Sequence, residues 1–112
     1  MISRVTPTPF FENRYKKFSK KFPALDKEIL ELEKELITNP QSGTSLGNGL
    51  YKIRLASRDK GKGKSGGFRI ITYLVNENNT YLDIFLIIIY DKSEESSFKK
   101  SDLVKLAKAF KD

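Results

Sequence analysis

Apolar residues recur with helical spacing in the first third of the chain and with strand spacing after residue 50. Phe11, Tyr15, Phe18 and Phe22 fall at i, i+4, i+7 and i+11, one stripe of a helix. Thr8-Pro9 supplies its start: a side-chain cap, then a proline whose missing N–H is harmless in the first turn. Pro23 interrupts the stripe. Leu25, Ile29, Leu32 and Leu36 then repeat the spacing until Asn39-Pro40 stops it. Two such stripes joined by a short turn predict a helical hairpin packed on a sheet. The second helix carries Asp26, Glu28, Glu31, Glu33 and Glu35 around its outside, a solvated face rather than a metal site because the carboxylates fan around the axis.

Ile2 to Thr6 predicts a short first strand, ended by Pro7. Residues 41–49 are rich in Gly, Ser, Thr and Asn and read as a linker. Beyond it Tyr51, Ile53 and Leu55 alternate with Lys52 and Arg54, a half-buried strand with cations on its other face. Phe68 to Val75 is a second β-rich run, and 76–79 is a turn. Tyr81 to Tyr90 is almost continuously apolar, as in a central strand covered on both faces. Leu103, Leu106, Ala107 and Phe110, with Ser101 as cap, predict a short final helix. The order β-α-α-β-β-β-α describes one α+β domain over residues 1–112: an antiparallel-rich sheet packed by an N-terminal helical hairpin, with a short C-terminal helix.

Charge narrows the function. The 112 residues carry a net charge of +7. Between Lys52 and Arg69 stand seven cations and one acid, so nearly all of the excess lies in this one stretch. Like charges held close repel, and a polyanion relieves them: nucleic acid first, an anionic membrane surface second. There is no cysteine, hence no disulfide and no thiolate-ligated metal. There is no histidine, which excludes a Ser-His-Asp triad, paired-histidine ribonuclease chemistry and an HExxH zinc site. Met1 to Pro7 lacks the apolar core of a signal peptide, and no apolar run is long enough to span a bilayer, so a cytoplasmic protein without membrane attachment is expected.

The basic loop contains two phosphate-binding strings that fail in context. Gly61-x-Gly63-x-x-Gly66 fits the dinucleotide fingerprint, but the segment after it is strand-like where the fingerprint needs a helix N-terminus. Gly63-Lys64-Ser65 echoes the P-loop, yet Arg58 stands at the place of its first glycine. The loop's alternating lysines and glycines suit contact with a phosphate backbone. Arg54 and Arg69, borne on strands, are stiffer and can fork onto one phosphate. Tyr90 and Lys92 close the apolar strand with a phenol and an ammonium.

Lys52-Ile53-Arg54, Lys62-Gly63-Lys64-Ser65-Gly66-Gly67-Phe68-Arg69 and Tyr90-Asp91-Lys92-Ser93-Glu94 together resemble the RelE/ParE toxin superfamily, in particular its HigB-like branch. The resemblance implies a toxin of a type II toxin–antitoxin pair: a ribosome-dependent mRNA endoribonuclease, needing no metal or other cofactor, that cleaves mRNA in the ribosomal A site and is held inactive by a cognate antitoxin. It maps catalytic positions onto Arg54, Lys62, Lys64, Arg69, Tyr90 and Lys92; the clustered charge, apart from the resemblance, makes Lys52, Arg58 and Lys60 expected RNA contacts. Relatives often carry a further basic residue on the last strand, where this chain has Ile87, Ile88 and Ile89. A gyrase-targeting toxin of the same fold and a non-catalytic RNA- or ribosome-binding module are the alternatives.

Overall fold

The computed structural model describes residues 2–61 and 66–111. Among them five strands and three α-helices follow one another: β1 (Ile2–Pro7), α1 (Pro9–Lys21), α2 (Leu25–Thr38), β2 (Thr44–Gly47), β3 (Leu50–Leu55), β4 (Phe68–Glu77), β5 (Tyr81–Asp91) and α3 (Lys100–Lys111). The expected elements are all present, and one is added: the segment read as a linker contributes β2, a four-residue edge strand. Helix α3 starts at Lys100, one residue before the expected cap Ser101; the Lys99 carbonyl accepts the first helical N–H groups.

The five strands form one sheet in the order β1-β5-β4-β3-β2. β2 to β5 make an antiparallel meander, as hairpin connections require. β1 instead lies parallel to β5, so the sheet is mixed. Arg4 fixes this edge: its Nε and Nη2 donate to the two oxygens of buried Asp83 at 2.7 and 2.9 Å, and its guanidinium lies over the Tyr81 ring.

Each face of the sheet has its own cover. The hairpin buries Phe11, Leu25, Ile29, Leu32 and Leu36 against Ile53, Phe68, Ile70, Ile84, Leu86 and Ile89. On the other face Leu103 and Ala107 of α3 pack on Leu50, Ile71, Ile87, Ile88 and Tyr90. Full burial of each large aliphatic side chain contributes roughly 1.5–3 kcal/mol, so the double covering of β5 accounts for its apolar run from Ile84 to Ile89.

A bulge in β5 decides which side chains share a face. Ile71 pairs with Ile88 and Thr72 with Leu86, leaving Ile87 as an extra residue. Before the bulge, Ile84 and Leu86 face the hairpin; after it, Ile89 does. Ile87, Ile88 and Tyr90 all face α3. Strict alternation would have sent Tyr90 to the hairpin side. Thr8 braces the bulge while capping α1. Its hydroxyl accepts the Phe11 N–H at 3.1 Å and directs its one proton between the carbonyls of Leu86 and Ile87, at 2.9 and 3.1 Å.

Candidate active site

Three strands bring the charged residues together. Arg54 of β3 lies directly across from Arg69 of β4, and Arg69 directly across from Tyr90 of β5, while Lys52 pairs with Ile71 one step away on the same face. Directly opposed residues project to the same side of a sheet, so Lys52, Arg54, Arg69 and Tyr90 form one cluster. Two arginines opposite one another are unfavourable unless an anion lies between or above them. Arg69 and Tyr90 are buried and make the floor of the cluster. Arg54 is exposed and Lys52 half-buried, so they make its rim.

Glu95 supplies the anion. Its Oε1 accepts from Lys52 Nζ at 3.0 Å and lies 3.6 Å from Arg69 Nε. The Lys52 hydrogen bond, assisted by the charges of Arg69 and Arg54, outweighs partial burial and holds the Glu95 carboxyl below the ordinary glutamate range. Tyr90 responds in the opposite sense. Burial, then the charge of Glu95, push its phenol up to about 12 against the opposing pull of Arg69, so it stays protonated at neutral pH. The Phe98 ring stacks on Tyr90 with centroids 4.7 Å apart.

The segment carrying Glu95 is held in place by its own ends. Lys92–Ser97 forms a 3₁₀ helix opened by a capping box: Asp91 accepts the Ser93 N–H at 2.9 Å, and Glu94 accepts the Asp91 N–H at 2.9 Å. Arg14 of α1 then ties the segment to the sheet. Its Nη2 donates to both Glu94 oxygens at 2.7 and 2.8 Å, and its Nε to the Ile89 carbonyl at 2.7 Å. Its guanidinium also lies 5.2 Å from the Phe98 ring centre. Sequence reasoning missed both Glu95 and Arg14. Asp91-x-x-Glu94 is a capping-box string and could have marked the turn that delivers Glu95.

The other expected site residues divide. Lys60 lies on the hairpin side, ion-paired with Asp91 and 4.8 Å from the centre of the Phe68 ring. Burial works against the Asp91 carboxylate, but Lys60 and Ser93 overcome it and keep its pKa low. Arg58 is exposed on a 3₁₀ turn, Arg58–Lys60, that is fastened to the helices. Asp59 accepts the Ala24 N–H at 2.8 Å, and the Arg58 N–H donates to Glu28 at 2.9 Å. Lys92 is exposed on the lip of an open cleft of about 680 Å³ lined also by Lys60, Gly66, Asp91 and Ser93. Lys62 and Lys64 lie outside the described residues. Just before β4, Gly67 passes so close to β3 that a Cβ would stand 2.0 Å from the Leu55 carbonyl oxygen. β4 follows the loop directly, so the glycine strings do not lead into a helix.

Among the described residues this arrangement is a cationic floor and rim, suited to gripping a phosphodiester at a fixed point. A family model described as the RelE toxin of the RelE/RelB toxin–antitoxin system matches residues 9–112. That span takes in β2 to β5, which include the strands that carry the cluster, and the helices that cover them, and the chain belongs to the RelE toxin family.

Proposed function

We propose that this toxin is a ribosome-dependent mRNA endoribonuclease of the HigB-like kind, acting in the cytoplasm on mRNA in the ribosomal A site and neutralised by a cognate antitoxin. Membership of the RelE family supports the toxin role and the antitoxin partner. The observation that carries the nuclease reading is the row Arg54–Arg69–Tyr90 across three adjacent strands, with Lys52 beside it.

Cleavage by the RNA's own 2′-hydroxyl makes a phosphorane with extra negative charge and a 5′-oxygen that leaves needing a proton. Arg54 and Arg69 are proposed to hold the scissile phosphate and stabilise that charge; a preorganised donor of this kind contributes about 10²–10³-fold in rate. Tyr90, protonated and fixed beneath Phe98, is proposed as the acid or orienting group, with Lys92 as the exposed second candidate. Lys62 and Lys64 are proposed to act electrostatically in catalysis, Lys52 and Arg58 to contact the RNA backbone, and Lys60, ion-paired with Asp91, to anchor the start of the stretch that carries Lys62 and Lys64.

The test is to express the toxin in growing cells and map new 5′ ends on translated and untranslated messages. New ends within translated codons support the reading. Growth arrest with intact mRNA sinks it, and blocked DNA supercoiling in that case identifies a gyrase toxin.

A further inference from the structure

RNA cleavage at this cluster needs a proton acceptor, and the described residues put one carboxylate among the cations. Glu95 is 36% exposed in its side chain, so a substrate can reach it. Among the described residues, its contacts with Lys52 and Arg69 at 3.0 and 3.6 Å both use Oε1, and a carboxylate offers about four lone-pair sites. Its backbone is fixed as well, since the Glu95 carbonyl accepts the Phe98 N–H at 3.2 Å. Among the described residues, the charged and titratable groups that act on it are Lys52 and Arg54 from β3, Arg69 from β4 and Tyr90 from β5.

We propose that Glu95 is the general base that takes the proton of the attacking 2′-hydroxyl, a role that rests on the endoribonuclease activity proposed above. The 2′ O–H bond breaks and its proton passes to a Glu95 oxygen. The 2′ oxygen bonds to the adjacent phosphorus, and the P–O5′ bond breaks. The 5′ oxygen leaves with a proton from Tyr90 or solvent, giving a 2′,3′-cyclic phosphate and a 5′-hydroxyl. Glu95 then releases its proton to water, and Tyr90, where it is the donor, takes one back from water. A carboxylate held this acidic is a weak base, but the cations that make it so also stabilise the developing 2′ oxyanion. Lysine as base makes a different demand: it must first lose its own proton.

The experiment measures single-turnover cleavage of mRNA on programmed ribosomes by the wild type, Glu95→Gln, Glu95→Ala and the surface control Glu12→Gln. Ribosome binding is measured in parallel. The expected result is a loss of at least 100-fold in rate for both Glu95 variants, binding equal to or tighter than the wild type, and no change for Glu12→Gln. Added formate, against equal chloride, should restore Glu95→Ala several-fold and leave Glu95→Gln unchanged. The wild-type rate should be nearly flat from pH 6 to 8, because Glu95 is already ionised. Cleavage by Glu95→Gln at or above the wild-type rate overturns the proposal and makes Glu95 a stand-in that the substrate phosphate displaces. A tenfold rise in wild-type rate per pH unit also overturns it, in favour of a lysine base. A Glu95→Gln protein that fails to fold shifts the decision to formate rescue of Glu95→Ala and the wild-type pH profile. An inactive wild type refutes the nuclease activity itself, whereas an active wild type with active Glu95 variants refutes only the role of Glu95.

Discussion

Replacing Arg14 tests whether the C-terminal segment is held in register by a single side chain of α1. Arg14→Ala removes two charge-assisted contacts to Glu94, one to the Ile89 carbonyl and the stacking on Phe98. Hydrogen bonds to a charged group contribute about 1.5–3 kcal/mol when buried. The Arg14 and Glu94 side chains are 25% and 36% exposed, so the pair is discounted towards about 1 kcal/mol. Leaving the Ile89 carbonyl without this donor costs about 1 kcal/mol more, and the lost cation–π contact roughly 0.5. The expected destabilisation is about 2–3 kcal/mol, or roughly 10–20 °C in Tm for a domain of this size. Urea denaturation measures it directly. A cycle with Glu94→Gln should return a coupling near 1 kcal/mol. Arg14→Lys should recover less than half of the loss, because an ammonium cannot reach the carbonyl and both carboxylate oxygens together. A change below 0.5 kcal/mol in Arg14→Ala, or additivity with Glu94→Gln, would refute the brace.

Further outcomes follow from other parts of the fold. Phe68→Ala, which empties a fully buried site beneath the rings of Phe18 and Phe22, should cost about 3–5 kcal/mol by thermal or urea unfolding. Gly67→Ala places a methyl 2.0 Å from the Leu55 carbonyl oxygen and should cost about 1–3 kcal/mol, with lower cleavage because the loop base must move. Tyr90 has its pKa raised to about 12, above the ordinary value of 10, so its contribution to stability is complete below pH 10 and is lost as pH rises towards 12; Tyr90→Phe should flatten that decline in an alkaline unfolding series. Asp91, Glu94 and Glu95 are all held below their ordinary values, so the stability they contribute is present above about pH 4.5 and falls as the pH drops through their folded-state values.

The two hairpin helices and α3 were legible because amphipathic spacing is a local signal. β5 was legible as a covered strand because its run is apolar apart from Asp83 until its last residue, Asp91. That same uniformity hid the bulge: with Ile87, Ile88 and Ile89 in succession, no polar residue marks where the alternation changes phase. The face of Tyr90 was therefore unreadable from the pattern, although its place at the strand end was not. β2 escaped notice because four residues on a sheet edge, rich in Ser, Thr and Gly, look like the linker they sit in. The parallel pairing of β1 with β5 joins residues 79 apart, for which the sequence holds no local cue. The strand cations were found from charge and resemblance. Lys60, grouped with them by sequence proximity, faces the hairpin because the 3₁₀ turn before the loop carries it to Asp91. Glu95 and Arg14 were missed because their roles arise only where α1, β5 and the turn after β5 meet.

Whether the strand-borne cations form the cleavage site is decided by mapping 5′ ends on translated mRNA for the wild type and site variants. Arg54→Ala, exposed and removable without opening the core, and Arg69→Ala, checked for folding by circular dichroism, should each lower cleavage about 10²–10³-fold. Lys20→Ala, exposed on α1, should leave the pattern and yield of 5′ ends unchanged. Equal cleavage by the folded arginine variants and by Lys20→Ala would contradict the account.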